Sequence, residues 1–250
     1  MRYGLCQLSI VPMRFEPSDK SELVNQVLYG EFFKVLEQRK QWSRIRLSHD
    51  KYEGWIDNKQ YLEISEDEYA FAKAQPTQFS ADPVQFISSQ KQELTTIVLG
   101  SSLQNLKLSN HTYDGDAISQ KGTREALIDT ALLYLKTPYL WGGRSPFGID
   151  CSGFTQMVYR INGHHLLRDA SQQATQGDAL SFIEESLPGD LAFFDNAEGH
   201  IIHVGIIMND NYIIHAHGEV RIDRLDHSGI YNADKRMHTH ALRVIKKIID

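Results

Sequence analysis

From Thr123 onward the chain reads as a helix, a glycine-rich loop, a second helix and then a run of strands with no helix between them. That order constrains the fold more than any other feature, because helices followed by consecutive antiparallel strands define an α+β domain. Thr123 can cap a helix through REALIDTALLYLK, with Ala126, Leu127, Ala131, Leu133 and Tyr134 as its apolar positions and Pro138 as its stop. The loop YLWGGRSPFGID leads to the helical stretch CSGFTQMVYRI, and the strands are DLAFFD, HVGIIM, NYIIHA and HALRVIK. The boundaries of this domain are set at 119–250.

The first sixty residues have a different texture. Tyr3 to Ile10, Glu31 to Gln38, Trp42 to Leu47 and Tyr52 to Asp57 are rich in β-branched and aromatic residues, punctuated by Pro12, Pro17, Gly30 and Gly54. Short strands separated by turn signals suit a small barrel over 1–65. Residues 66–80 read as a charged helix or linker that breaks at Pro76. TTIVLGSSL and YDGD suggest a second, smaller β module over 81–118.

Composition excludes several classes. Hydrophobic residues at 41% and charged residues at 23% are ordinary for a globular protein. A net charge of -6 argues against a nucleic-acid partner, which calls for a basic face. No apolar run approaches the ~18 residues of a membrane helix, so no membrane partner is expected. MRYGLCQLSIVPMR lacks the basic and apolar regions of a signal peptide; with Met1 as the start, a cytoplasmic protein is expected. Cys6 and Cys151 are the only cysteines, so a disulfide framework is excluded.

Cys151 follows Asp150 at the head of a helix whose Phe154, Met157, Val158 and Ile161 fall on one face. Gly142, Gly143 and Gly148 let the backbone approach through a tight, open loop. A thiol at a helix N-terminus meets the positive end of the helix dipole and free N–H groups, which favour thiolate and can hold an oxyanion. Cys6, inside an apolar strand, reads as a buried small hydrophobe. In a hairpin centred near residue 209, His203 and His215 lie opposite each other within a residue of register, on one face. One imidazole can then accept the thiol proton while the other orients it. His217 reads as flanking and His200 as a loop residue, while His227, His238 and His240 read as solvated loop residues without a role. A zinc site from His200, His203 and His215 or Cys151 lacks the usual ligand spacing, so no metal is expected. A thiol–imidazole pair also needs no cofactor.

These residues resemble the NlpC-type bacterial cell-wall cysteine peptidases. The stretches TPYLWGGRSPFGIDCSGFTQMVY, RDASQQ, LPGDLAFF, HVGII and YIIHA carry the resemblance across most of 123–217. EPSDKSELVNQVLYGE and KYEGWID resemble bacterial SH3-like modules. The resemblance implies a compact papain-like domain preceded by one or two small SH3-like barrels. It implies Cys151 as nucleophile, His203 as base and His215 as polar third member. In the branch with such modules the substrate is L-Ala-γ-D-Glu-diamino-acid peptide released from murein, cut at the γ-D-glutamyl bond. The modules there help to read the free N-terminal amine. Carried over, Glu22 pairs with the ammonium, Tyr52 approaches the active site, and Asp150, Ser152 and Asp169 contact the peptide. Ala170 stands directly after Asp169, where some relatives place a hydroxyl residue, and Ser171 follows it. The expected function is trimming of murein peptides for recycling. An exported wall-lytic hydrolase or amidase, or a non-catalytic wall-peptide binder, is the alternative.

Overall fold

The computed structural model describes residues 1–249 and separates into two units: Met1–Gln120 with Trp141–Pro146, and Lys121–Leu140 with Phe147 onward.

In the first unit β1 (Arg2–Leu5), β2 (Ile10–Arg14), β3 (Leu23–Leu28), β4 (Phe32–Gln38), β5 (Trp42–Leu47), β6 (Glu53–Asp57) and β7 (Leu62–Ile64) form one antiparallel sheet. Its order is β3-β2-β6-β5-β4-β1-β7. β5 shows why these segments are strands: Ser43, Ile45 and Leu47 are buried while Arg44 and Arg46 between them face solvent, the period of a half-buried strand. The core comprises Val11, Met13, Val27, Phe33, Val35, Ile45, Leu47 and Ile56, with Cys6 among them. Helix α1 (Glu66–Ala74) follows, fixed at its start by a capping box between Ser65 and Glu68 and stopped before Pro76. Beyond it, β9 (Val84–Ser89) pairs with β10 (Leu94–Val98) and β11 (His111–Tyr113), after β8 (Phe79–Ser80) and before its partner β12 (Ala117–Ile118). Between β10 and β11 lies the short α2 (Leu106–Ser109). The segment Trp141–Pro146, with β13 (Arg144–Ser145), is fastened here by a fully buried guanidinium. Arg144 donates to both Glu31 carboxylate oxygens, at 3.0 and 2.9 Å, and to the Gln26 carbonyl at 2.7 Å.

The second unit opens with α3 (Arg124–Leu132), capped by the Thr123 side chain, then β14 (Gly148–Ile149) and α4 (Cys151–Ile161). α4 is more enclosed than a one-faced helix: every residue except Arg160 is buried. Thr155 hydrogen-bonds Gln173 at 2.7 Å and Gln156 donates to the Leu166 carbonyl, which satisfies polar groups on the flank away from Phe154 and Met157. α5 (Ala170–Gln173) and β15 (Asp178–Leu180) lead into β16 (Leu191–Asp195), β17 (Ile201–Ile207), β18 (Tyr212–His217), β19 (Glu219–Asp226), β20 (Gly229–Asn232) and β21 (Met237–Lys247). These strands follow one another in the sheet, and β21 pairs with both β16 and β20, closing six strands on themselves. Ala192, Phe194, Ile207, Ile213, Leu225, Ile230 and Ile245 fill the interior, and α4 packs on β17 and β18.

Candidate active site

Asp150 is the N-cap of α4. One carboxylate oxygen accepts from Gly153 N–H at 2.6 Å, and Arg168 grips both oxygens at 2.9 and 2.6 Å. Arg168 also donates to the Ser152 hydroxyl at 3.0 Å, and Gln173 donates to the Ser152 carbonyl at 2.9 Å. Asp150, Ser152, Gly153, Arg168 and Gln173 are all buried, so the first turn of the helix is held by a charge-neutral, hydrogen-bonded cluster. Cys151, the first helical residue, is only 7% exposed.

The thiol meets β17. The N–H groups of Val204 and Ser152 both reach its sulfur. β17 pairs with β18 only at Ile206 and Ile207, which leaves its first half, with Val204, beyond that ladder. His203, one residue away, is buried and its Nε2 lies 2.8 Å from His215 Nδ1. The hairpin is centred one residue later than expected: Ile206 faces Ile214 and Ile207 faces Ile213. Continued, this register puts Gly205 across from His215, so the two histidines share a face but meet diagonally. Gly205 makes this possible, since a Cβ there would come within 2.8 Å of His215 Cβ. From His215 the chain continues through Nε2 to Asp223 Oδ2 at 3.0 Å. Arg221 holds both Asp223 oxygens, at 2.6 and 2.9 Å, and reaches Asp234 at 2.9 Å.

Burial, and after it the charge of Asp150, pushes the Cys151 thiol up to about 12; the Val204 N–H, Arg168 and the Ser152 N–H pull the other way without prevailing. The helix start therefore does not yield a resting thiolate, because desolvation of a nearly enclosed sulfur outweighs the dipole and its donors. Burial, with the neighbouring His215, His240 and His217, holds His203 well below the ordinary imidazole range. His215 is lowered by burial against the opposing pull of Asp223. The resting pair is thus neutral thiol and neutral imidazole. Tyr139 is half-buried near the thiol; burial first, then the neighbouring Cys151 and Asp150, raise its phenol, so it remains an O–H donor.

His240 is not a solvated loop residue. It lies in β21, half-buried, with its ring stacked on His203 at 4.3 Å and 25°. His217 meets the His240 ring edge-on at 4.8 Å. His200, His227 and His238 are exposed, and His238 lies in β21 rather than a loop. Among the described residues no group of three or more His, Cys, Asp or Glu side chains is arranged to hold a metal ion.

Of the other expected site residues, Asp150, Ser152, Asp169 and Ala170 belong to the second unit, and Glu22 and Tyr52 to the first. Asp169 is the half-buried N-cap of α5 and Ala170 its buried first residue. Glu22 is exposed and accepts from the indole N–H of Trp141 at 2.6 Å. Tyr52 packs against the barrel core, its N–H bonded to Asp50. Asp223, Arg221, Arg168 and Tyr139 carry no role in the sequence reading, and His240 is misplaced there as a loop residue. Asp223 alone had a readable signal, an acid on the strand after His215 at a position that alternation turns to the same face.

A buried thiol at a helix start, set against a strand whose histidine is hydrogen-bonded to a second histidine on the next strand, is the arrangement of a papain-like thiol hydrolase. The NlpC/P60 family matches residues 136–240, and the bacterial dipeptidyl-peptidase SH3 domain matches residues 13–60. Dipeptidyl-peptidase 6 of Lysinibacillus sphaericus is 30% identical over 84% of this chain and 87% of its own. A gamma-D-glutamyl-L-lysine dipeptidyl-peptidase of Bacillus subtilis is 29% identical over 86% and 75%. A crystal structure of an NlpC/P60 family protein from Bacillus cereus superposes with a TM-score of 0.79 at 20% identity, covering 99% of this chain and 100% of that one. The chain belongs to the NlpC/P60 family, with an N-terminal SH3-like domain, and is a cysteine peptidase.

Proposed function

We propose that this protein is a murein-peptide endopeptidase that hydrolyses the γ-D-glutamyl–diamino acid bond, with Cys151 as nucleophile, His203 as base and His215 as orienting residue. The observation that carries the reading is the Cys151 thiol set at the Val204 N–H, beside a His203 that is itself hydrogen-bonded to His215 at 2.8 Å. The bond assignment is supported by the relatives whose names specify a γ-D-glutamyl linkage.

In this mechanism the sulfur attacks the γ-carbonyl carbon as its proton passes to His203. A resting neutral pair makes the two events concerted, with the proton moving only as the C–S bond forms. N–H groups at the start of α4 and the Tyr139 phenol supply donors for the oxyanion. His203 then protonates the departing amine, the C–N bond breaks, and a Cys151 thioester remains. Water, deprotonated by His203, adds to that thioester, and the thiolate leaves and takes back the proton.

Recognition of a free N-terminal L-Ala is assigned to Glu22 with Tyr52, and contact with the peptide to Asp150, Ser152, Asp169 and Ala170. A carboxylate that receives an ammonium rejects a capped peptide because its charge is left unpaired. The cellular role assigned is recycling of released murein peptides in the cytoplasm.

The test compares L-Ala-γ-D-Glu-L-Lys, its meso-diaminopimelate counterpart and their N-acetylated twins by mass spectrometry, with Cys151→Ala as control. Cleavage of only the free-amine peptides, abolished in the control, is the expected result. Equal cleavage of capped peptides would remove the amine-reading role of Glu22 and Tyr52, and cleavage by the Cys151→Ala protein would remove the nucleophile.

A further inference from the structure

We infer that Asp223 is a positioning residue that fixes the tautomers of both His215 and His203, leaving His203 Nδ1 as the atom that takes the thiol proton. The inference rests on the reading of Cys151 and His203 as nucleophile and base.

The argument starts from what each atom can do. An ionised carboxylate only accepts hydrogen bonds. Burial raises Asp223, but the hydrogen bonds from His215 and Arg221 and the Arg221 charge prevail and hold it below the usual carboxylate range, so it is ionised. The proton between Asp223 Oδ2 and His215 Nε2 therefore belongs to Nε2. His215 is neutral, held below the ordinary range by its burial, so its Nδ1 carries only a lone pair. That lone pair can only accept, and the atom 2.8 Å away is His203 Nε2, which must donate. His203, also neutral, then has a bare Nδ1. One carboxylate thus sets the direction of two successive hydrogen bonds, and the direction ends in an acceptor on the base.

The sheet explains how Asp223 reaches its place. On the β18–β19 ladder His215 faces Arg221, and Ile213 faces Asp223. Residues directly opposite share a face, as do residues two apart on one strand, so all four point the same way. Asp223 is the diagonal neighbour of His215, and Arg221, directly opposite His215, donates two hydrogen bonds to the Asp223 carboxylate. Asp223 is 5% exposed, so water does not compete strongly for its oxygens.

Asp223→Asn separates this role from a merely structural one. Its amide keeps the shape, but Arg221 claims the oxygen, and the NH₂ group then faces His215. His215 Nε2 becomes an acceptor, its Nδ1–H donates to His203 Nε2, and His203 Nδ1 is protonated, which closes the route for the thiol proton. In a serine-peptidase triad the equivalent exchange costs about 10⁴-fold in kcat. With one more imidazole in the relay, a fall of about 10²–10⁴-fold in kcat with little change in KM is expected. The direct readout is ¹⁵N NMR of labelled histidines. In the unsubstituted protein His203 and His215 are both expected as Nε2–H tautomers, and in Asp223→Asn both switch to Nδ1–H. Asp223→Glu, which restores an acceptor, is expected to keep the original tautomers and recover activity above the asparagine variant.

An unsubstituted His203 found as the Nδ1–H tautomer would overturn the inference, as would unchanged tautomers in a folded Asp223→Asn protein. So would a kcat within threefold of the unsubstituted enzyme. Failure of the nucleophile–base reading is a different result: it would appear as retained activity in Cys151→Ala or His203→Ala, whatever the tautomers.

Discussion

Replacing Gly205 by alanine tests whether the imidazole relay depends on an empty position in β17. The backbone there lies outside the left-handed region, so alanine meets no conformational barrier and its effect is steric. Its Cβ would stand 2.8 Å from His215 Cβ and 2.8 Å from Ile213 Cδ1. Ordinary contact begins at 3.4 Å, so both neighbours must withdraw by about 0.6 Å. Ile213 can turn its chain end away. His215 cannot, because the clash is at its Cβ, and a shift there tilts the whole ring. The displacement acts at the 2.8 Å bond to His203. Misplacement of catalytic groups by ~1 Å costs as much as 10²-fold, so a loss of about 10–10²-fold in kcat/KM is expected. Overpacking costs about 1–3 kcal/mol of stability, offset in part by about 0.4–1 kcal/mol from a less flexible unfolded chain. Steady-state cleavage and urea unfolding measure the two separately. Adding Ile213→Val removes one clashing methyl and is expected to restore stability more than activity. A Gly205→Ala enzyme with kcat/KM within threefold of the original would refute the steric argument.

A thiol raised to about 12 is almost wholly protonated at neutral pH, so alkylation of Cys151 by iodoacetamide should rise with pH through pH 10; a plateau between pH 4 and 8 would instead indicate a resting ion pair. His203 is lowered from 6.5, so the acid limb of kcat/KM is expected below that pH, measured with a soluble peptide substrate. His240→Phe keeps a ring against His203 and should retain most activity, whereas His240→Ala loses an aromatic contact worth about 0.5–1.5 kcal/mol and is expected to lower kcat about 2–12-fold; equal rates would remove His240 from the site. Arg168→Met leaves Asp150 buried without its bidentate partner, and thermal or urea unfolding should show a loss of about 3–5 kcal/mol.

The strand and helix content was legible because local chemistry agrees with the fold. Ser43, Ile45 and Leu47 alternate inward, and Asp150 caps a helix at the residue expected. His203 and His215 were legible as sharing a face, because alternation is local. Their diagonal meeting was not, since Asp210 and Asn211 take positive φ in the connecting turn and move the hairpin centre by one residue. His240 was out of reach for a different reason. Register shifts opposite Thr239 and Arg243 break the period of β21, so that His240, Leu242 and Ile245 rather than an unbroken alternation face inward. Pairing of β21 with β16, the strand beside β17, then brings residue 240 to His203, and nothing near 240 in the sequence signals that pairing. The helix dipole at Cys151 can be read from sequence, while the burial that outweighs it cannot.

The most direct test of the central claim is to trap the covalent intermediate. Protein quenched in acid during turnover of L-Ala-γ-D-Glu-L-Lys is digested and mapped by mass spectrometry. An L-Ala-γ-D-Glu acyl group is expected as a thioester on Cys151, absent from Cys6 and from the Cys151→Ala protein. Turnover with an acyl group on another residue, or with none under conditions that slow thioester hydrolysis, would contradict Cys151 as the nucleophile.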